Sequence, residues 1–168
     1  MPSLHDALID QLKDLYSAEN QIAEALPKMI DAAHSDELRK AFEGHLEETR
    51  GQIDRLEEVF EKLSASPGGK KCKGMEGLLK EGEETIEEHS AGPTRDALLI
   101  ASAQRVEHYE IAVYGTVAEW ADAMDYDDVA DLLGSTLDEE EDADEKLTSI
   151  AEGGLLEDGV NEAAMADD

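Results

Sequence analysis

Gln104-Arg105-Val106-Glu107-His108-Tyr109-Glu110-Ile111-Ala112 is the stretch on which the fold turns. Wound at about 100° per residue, it belongs to a helix whose apolar face is Leu99, Ala103, Val106, Tyr114, Val117 and Ala121. Glu107 and Glu110 fall in the middle of that face. An isolated buried carboxylate takes up a proton rather than stay charged. Two of them one turn apart need a counter-charge, and a metal ion supplies it compactly. The rest of the chain is therefore read for further ligands and for the helices that carry them.

Outward from this stretch, the periodicity predicts a long helix over Thr94 to Met124, with Pro93 suited to its first turn. Asp125-Tyr126-Asp127 is a tight break. Asp128 to Ala151 follows, with the stripe Val129, Leu133, Thr136, Leu137, Leu147 and Ala151, and with Glu140 and Asp144 at its centre. Toward the N-terminus, Met75 to His89 reads as a shorter helix, set off by Ser90-Ala91-Gly92 and by the lysine-rich linker Ser64 to Lys73. Asp36 to Leu63 carries Leu38, Phe42, Leu46, Ile53, Leu56, Phe60 and Leu63, with His45 and Gln52 on its flank and Glu48 at its edge. Ser3 to Ala33 carries Leu8, Leu12, Leu15, Ile22 and Leu26, with Glu19 inside the stripe. Ser3 and Ser35 are placed to cap the first two helices. Pro27 should kink or restart the first.

Short loops make antiparallel neighbours, and one long connection joins the two hairpins. The fold expected is all-α: an antiparallel four-helix bundle over residues 1–152, with a long crossover carrying a short extra helix. Residues 153–168 are expected to form an acidic, mobile tail.

Composition sets limits on function. Acidic residues number 43 against 14 basic ones, a net charge of −29, which disfavours nucleic acid and anionic membrane surfaces as partners. The regular apolar pattern argues for a folded protein adapted to high salt, where self-repulsion is screened, over a disordered acidic chain. No apolar run reaches the length of a membrane span, and the N-terminus has no basic or apolar region of a signal peptide. A lone Cys72 excludes an intramolecular disulfide and a cysteine-based zinc site. The reducing cytoplasm is the default setting. Cys72 itself reads as inert.

The inward charges are Glu19 on the first long helix, Glu107 and Glu110 on the third, Glu140 and Asp144 on the fourth, and Glu48 on the second. All lie near mid-helix, so in antiparallel hairpins they converge at one height. Ion pairing with Arg105, or protonated carboxyls, would be the alternative to a metal. His45 and Gln52 are possible additional ligands or supports behind them. Tyr16, Tyr109 and Tyr114 read mostly as core aromatics, with Tyr16 or Tyr109 the candidates to hydrogen-bond a site carboxylate.

The segments Leu15-Tyr16-Ser17-Ala18-Glu19-Asn20-Gln21, Leu26-Pro27-Lys28-Met29, His45-Leu46-Glu47-Glu48-Thr49, Val106-Glu107-His108-Tyr109-Glu110 and Thr136-Leu137-Asp138-Glu139-Glu140 with Asp144 together resemble the YciE/YciF-type ferritin-like stress-protein family. The resemblance runs from about Leu4 to Glu152. It implies a ferritin-like bundle, a carboxylate-bridged centre of two metal ions, iron or manganese, and a homodimer. The chain departs from the wider rubrerythrin-like pattern in having no Glu-x-x-His: Gly51 and Gln52 follow Glu48, and Asp144 stands four residues after Glu140. An almost all-oxygen ligand set favours hard ions.

Two functions compete. One is a di-iron, ferroxidase-like or di-manganese, catalase-like oxidoreductase acting with O2 or H2O2. In it Glu48 and Glu140 would bridge the ions, and Glu19, Glu107, Glu110 and Asp144 would be terminal ligands. The other is a non-catalytic dimeric stress protein with a structural ion or an empty site.

Overall fold

The computed structural model describes residues 3–153 and 158–166, and six helices account for nearly all of them: α1 (Leu4–Ala32), α2 (Asp36–Lys62), α3 (Lys73–Glu88), α4 (Pro93–Asp122), α5 (Asp127–Glu152) and α6 (Val160–Met165). The four long helices begin and end within about two residues of the limits expected.

Their ends follow from local chemistry. At the start of α1 the Ser3 hydroxyl accepts from the Asp6 N–H, and the Asp6 carboxylate accepts from the Ser3 N–H, a reciprocal cap. Ser35 caps α2 through the Leu38 N–H. Pro93 opens α4, where its missing N–H costs nothing. Gly153 closes α5 at φ +74°, a backbone state that favours glycine. Pro27 neither breaks nor restarts α1, which runs unbroken through it. Its residue is exposed, so water can bond the carbonyl that the missing N–H leaves over.

In the bundle α1 and α5 each pack against α2 and α4. The Asp96 carboxylate, buried at the start of α4, accepts from the backbone N–H groups of His34 (2.8 Å) and Ser35 (2.6 Å). The Arg95 guanidinium nearby donates to the Ala32 carbonyl. The start of α4 thus sits where α1 ends, which makes every neighbouring pair in the bundle antiparallel. The crossover must climb the full length of the molecule, and α3 does so along α1 and α4. Lys70 reaches Asp10 near the start of α1 (2.6 Å), and Glu83 pairs with Lys28 near its end.

The core comes in two apolar blocks. One gathers Ile22, Leu26, Leu38, Phe42, Leu99 and Val106. The other gathers Leu8, Leu12, Leu15, Leu56, Phe60 and Leu133. Between them lies a layer of buried polar side chains: Glu19, His45, Thr49, Gln52, Glu107, Glu110, Thr136 and Glu140.

Two features differ from the expected pattern. The core line of α2 passes through His45, Thr49 and Gln52, while Leu46 and Ile53 are only half-buried. Within the stretch expected to be a mobile tail, α6 packs on α4 and α5, and Val160 joins the core. Met1, Pro2 and residues 154–157 and 167–168 of that tail lie outside the described residues.

Candidate metal centre

Four side chains of the polar layer converge. His45 of α2, Glu107 and Glu110 of α4 and Glu140 of α5 are all buried, and each offers a ligand atom within 4.8 Å of the others. Glu107 and Glu110 point inward together because one helical turn separates them. Glu140 enters from the helix antiparallel to theirs. Glu19 of α1 is fully buried in the same layer and accepts a hydrogen bond from the Tyr114 hydroxyl of α4.

The layer is short of partners. Eight of the nine buried side-chain polar atoms without a hydrogen-bond partner, among the described residues, belong to it. They are on Glu19, His45 (both ring nitrogens), Gln52, Glu107, Glu110 (both oxygens) and Glu140. Native interiors leave few such atoms, and a cluster of them marks a place for an ion or water. Oxygen donors with one imidazole nitrogen suit iron or manganese, so the residues fit a metal site.

Their electrostatics agree. Burial first, then the Glu140 charge, pushes the Glu19 carboxyl up to about 8 against the opposing hydrogen bonds of Tyr114 and Glu110. Glu107 is held well above the ordinary carboxylate range by burial, by sharing a proton with Glu140 and by the charges of Glu140 and Glu19. Glu110 is raised in the same sense by burial and then by Glu19, Glu140 and Glu107. For His45 burial opposes the charged form, but Glu48, Glu140 and Glu19 outweigh it and raise its pKa. Without a cation, then, these acids hold protons that they would not hold in water.

Supports surround the layer. Gln52 donates to Glu140 and, at 3.1 Å, to Glu139. Arg55 clamps Glu139 with two hydrogen bonds (2.8 and 2.9 Å) and bonds the Thr136 hydroxyl (2.7 Å). That clamp holds Glu139 ionised, below its usual range. Gln52 is thus a buried support, fixed between two adjacent acids of α5.

Several expectations are corrected. Glu48 is half-exposed; it lies one residue, about 100°, from the buried Thr49, and its carboxylate reaches only His45 Nδ1, at 3.5 Å. Asp144 stands at the rim, where Gln104 donates to it (3.2 Å) and His108 Nε2 lies 3.3 Å away. His45, read from the sequence as flanking, is instead at the heart of the group, with Nε2 3.5 Å from Glu107. Arg105 is no counter-ion for the layer, being exposed and facing Glu81 of α3. The tyrosine that bonds a site carboxylate is Tyr114; Tyr16 bonds Glu57, and Tyr109 bonds Asp14 and Cys72. Cys72 is not a linker thiol but the cap of α3, and burial pushes its pKa up.

With this geometry in place, the kinship of the chain has a physical context. The Escherichia coli (strain K12) protein YciF is 45% identical over 164 residues, covering 97% of this chain and 99% of that protein. The crystal structure of that stress protein superposes with a TM-score of 0.86 at 47% identity, covering 89% of this chain and 94% of the other. A dodecameric thioferritin of Bacteroides fragilis, related to bacterioferritin, shares the fold at 18% identity, with a TM-score of 0.67 and 86% and 84% of the chains covered. No helix among the described residues is long and apolar enough to cross a membrane. The family described as "Domain of unknown function (DUF892)" matches residues 3–164, nearly the whole chain, and the chain belongs to that family.

Proposed function

We propose that this chain is a di-metal carboxylate protein, iron-binding, with ferroxidase- or peroxide-type chemistry in the oxidative stress response. The observation that carries the reading is the buried, partner-poor group of His45, Glu107, Glu110 and Glu140, with Glu19 beside it. Desolvating even one unpaired ion costs several kcal/mol, a large part of a typical stability. Two divalent ions would offset four buried carboxylates and use their free lone pairs.

Bound ions would supply one-electron exchange with O2 or H2O2. The residues would supply the rest. Glu107, Glu110, Glu140 and His45 would hold the ions, with Glu19, oriented by the Tyr114 hydroxyl, as a further carboxylate ligand. Gln52 and the Arg55–Glu139 clamp hold Glu140 in place. The protons that Glu19, Glu107 and Glu110 hold must leave as metal enters, so loading should release protons near neutral pH. Glu48, 3.5 Å from His45 Nδ1, and Asp144 at the rim remain proposed as outer carboxylates of the same site.

Anomalous diffraction at the iron and manganese edges, with titration calorimetry, tests this. Two ions per chain within about 4 Å of each other are expected. Absence of binding, with the parent folded, overturns the reading. A second reading is a single structural ion. It is favoured by the compactness of the four-residue group, with Glu48 and Asp144 outside it. One tightly held ion and no consumption of O2 or H2O2 would select it. The homodimer, the cytoplasmic setting and adaptation to salt belong to the same proposal, and sedimentation at low and molar salt tests the first and last.

A further inference from the structure

A cavity of about 40 Å³ lies between α1, α3 and α4, on one side of the polar layer. Ile22 and Leu26 of α1, Phe42 of α2, Leu79 of α3, and Ala103 and Val106 of α4 form its walls. At its inner end stand His45 and Glu107, both buried. At its outer side stand Lys28 and Glu83, both largely exposed, whose ion pair spans α1 and α3. The crossover helix therefore roofs a void that the four-helix bundle alone would leave open.

A second cavity of about 110 Å³ approaches the same layer from the α2 and α5 side. Glu48, Glu139, Asp142 and Lys146 line it, and Phe42, His45 and Glu107 border both spaces. The two approaches differ in kind. Water in a cavity needs two to four polar partners, and voids with apolar walls stay dry and take up apolar guests. The first cavity is walled mostly by apolar side chains: Ser102 is the one hydroxyl in its lining, and its other polar side chains are Lys28 and Glu83 on the outer side and the candidate ligands His45 and Glu107 on the inner. A hydrated cation or a peroxide molecule would lose its hydrogen bonds along those walls. The charged cavity suits both.

We propose that the apolar cavity is a chamber that admits and holds a small apolar molecule of the dioxygen class against the His45–Glu107 edge of the centre. Its use rests on the metal-centre reading above; its occupancy does not. The size argues for a guest of a few heavy atoms. The position argues for delivery, since the same two side chains bound the chamber and offer ligand atoms. Polar reactants and cations are left to the opposite, charged side.

Xenon, an apolar probe of suitable size, tests occupancy on the metal-free full chain by crystal pressurisation and by xenon NMR in solution. Xenon should sit between Leu79, Ala103 and His45. Ala103→Leu in the α4 wall and Ala25→Leu in the α1 wall, where Ala25 also lines the cavity, should each weaken xenon binding at least about tenfold. Far-ultraviolet spectra and metal stoichiometry should match the parent, so a variant that misfolds is recognised and the other decides. In the iron-loaded protein both variants should raise the O2 concentration for half-maximal oxidation at least about threefold and leave the H2O2 dependence unchanged. No xenon in the parent, or equal xenon in both filled variants, overturns the chamber. Equal slowing with O2 and H2O2 overturns the delivery role. Xenon bound there with no metal binding overturns the metal-centre reading and delivery together, whereas metal without xenon overturns the chamber alone.

Discussion

The chain keeps carboxylates in two settings that differ in almost every physical respect. Most of the acids among the described residues lie on the outside of the bundle, where water and salt carry the cost of their charge. Asp36 with Arg39 and Glu47 with Arg50 form exposed pairs along α2, the kind that add little to stability. Four others, Glu19, Glu107, Glu110 and Glu140, are no more than 3% exposed and have unpartnered oxygens. The same functional group is cheap outside and expensive inside. Acidity as such therefore says nothing about the site, and burial without partners says a great deal.

Metal affinity separates the inner acids from the outer ones most strongly. Glu107→Ala and Glu140→Ala should each lower affinity at least about 100-fold, since each removes a ligand atom. Glu145→Ala, exposed on the same helix as Glu140, should leave stoichiometry and affinity unchanged. Isothermal titration calorimetry reads both. Equal binding by the parent and Glu107→Ala would show that the inner acids are no different from the outer ones.

Next comes pH. The folded metal-free protein holds protons on Glu19, raised to about 8, and on Glu107 and Glu110, which the unfolded chain has lost by about pH 5. The folded state then binds more protons than the unfolded one, so stability is present at low pH and is lost as pH rises through the folded pKa. The Tm of metal-free protein should fall from pH 5 to 8, at about 2–4 °C per kcal/mol for a domain of this size. Metal loading should flatten the curve. Glu110→Gln, which keeps volume and removes the charge, should raise the metal-free Tm at pH 8 by several degrees while weakening metal binding. Scanning calorimetry of both proteins checks this.

Salt addresses the outer set. The Debye length falls from about 10 Å at 0.1 M to about 3 Å at 1 M. Molar KCl should therefore raise Tm by several degrees through relief of surface repulsion. The pH slope that arises inside should change less. A Tm that stays flat or falls would count against adaptation to salt. The smallest effect belongs to a single exposed pair: Glu84→Ala, which frees Lys80 on α3, should move Tm by less than about one degree.

Much of this architecture was legible as periodicity. Helix limits followed from Ser3, Ser35, Pro93 and the apolar stripes, because caps and breakers act locally. Glu107, Glu110, Glu19 and Glu140 could be found because each interrupts an otherwise apolar face. On α2 the same logic failed. There the core line is itself polar at His45, Thr49 and Gln52, so counting apolar residues shifted the face toward Leu46 and Ile53. That shift made Glu48 look inward and His45 look peripheral. Tyr114 was hidden for the opposite reason: its ring belongs to the core, and only the packed structure sets its hydroxyl on Glu19. The Arg55–Glu139 clamp joins residues 84 positions apart, which no local pattern encodes. Helix α6 is only six residues long, too short for a helical period to show in an acidic stretch.

The clasp made by Asp96 carries a consequence for how the molecule opens. Backbone N–H groups in a short interhelical loop normally trade their hydrogens with solvent within the fastest class, since no helix protects them. His34 and Ser35 donate instead to a buried carboxylate more than 60 residues away, on the other hairpin. These two amides are held from exchange until the Asp96 clasp opens. Their deuterium uptake would therefore report on the junction between the two halves of the bundle, where the end of α1 meets the first turn of α4.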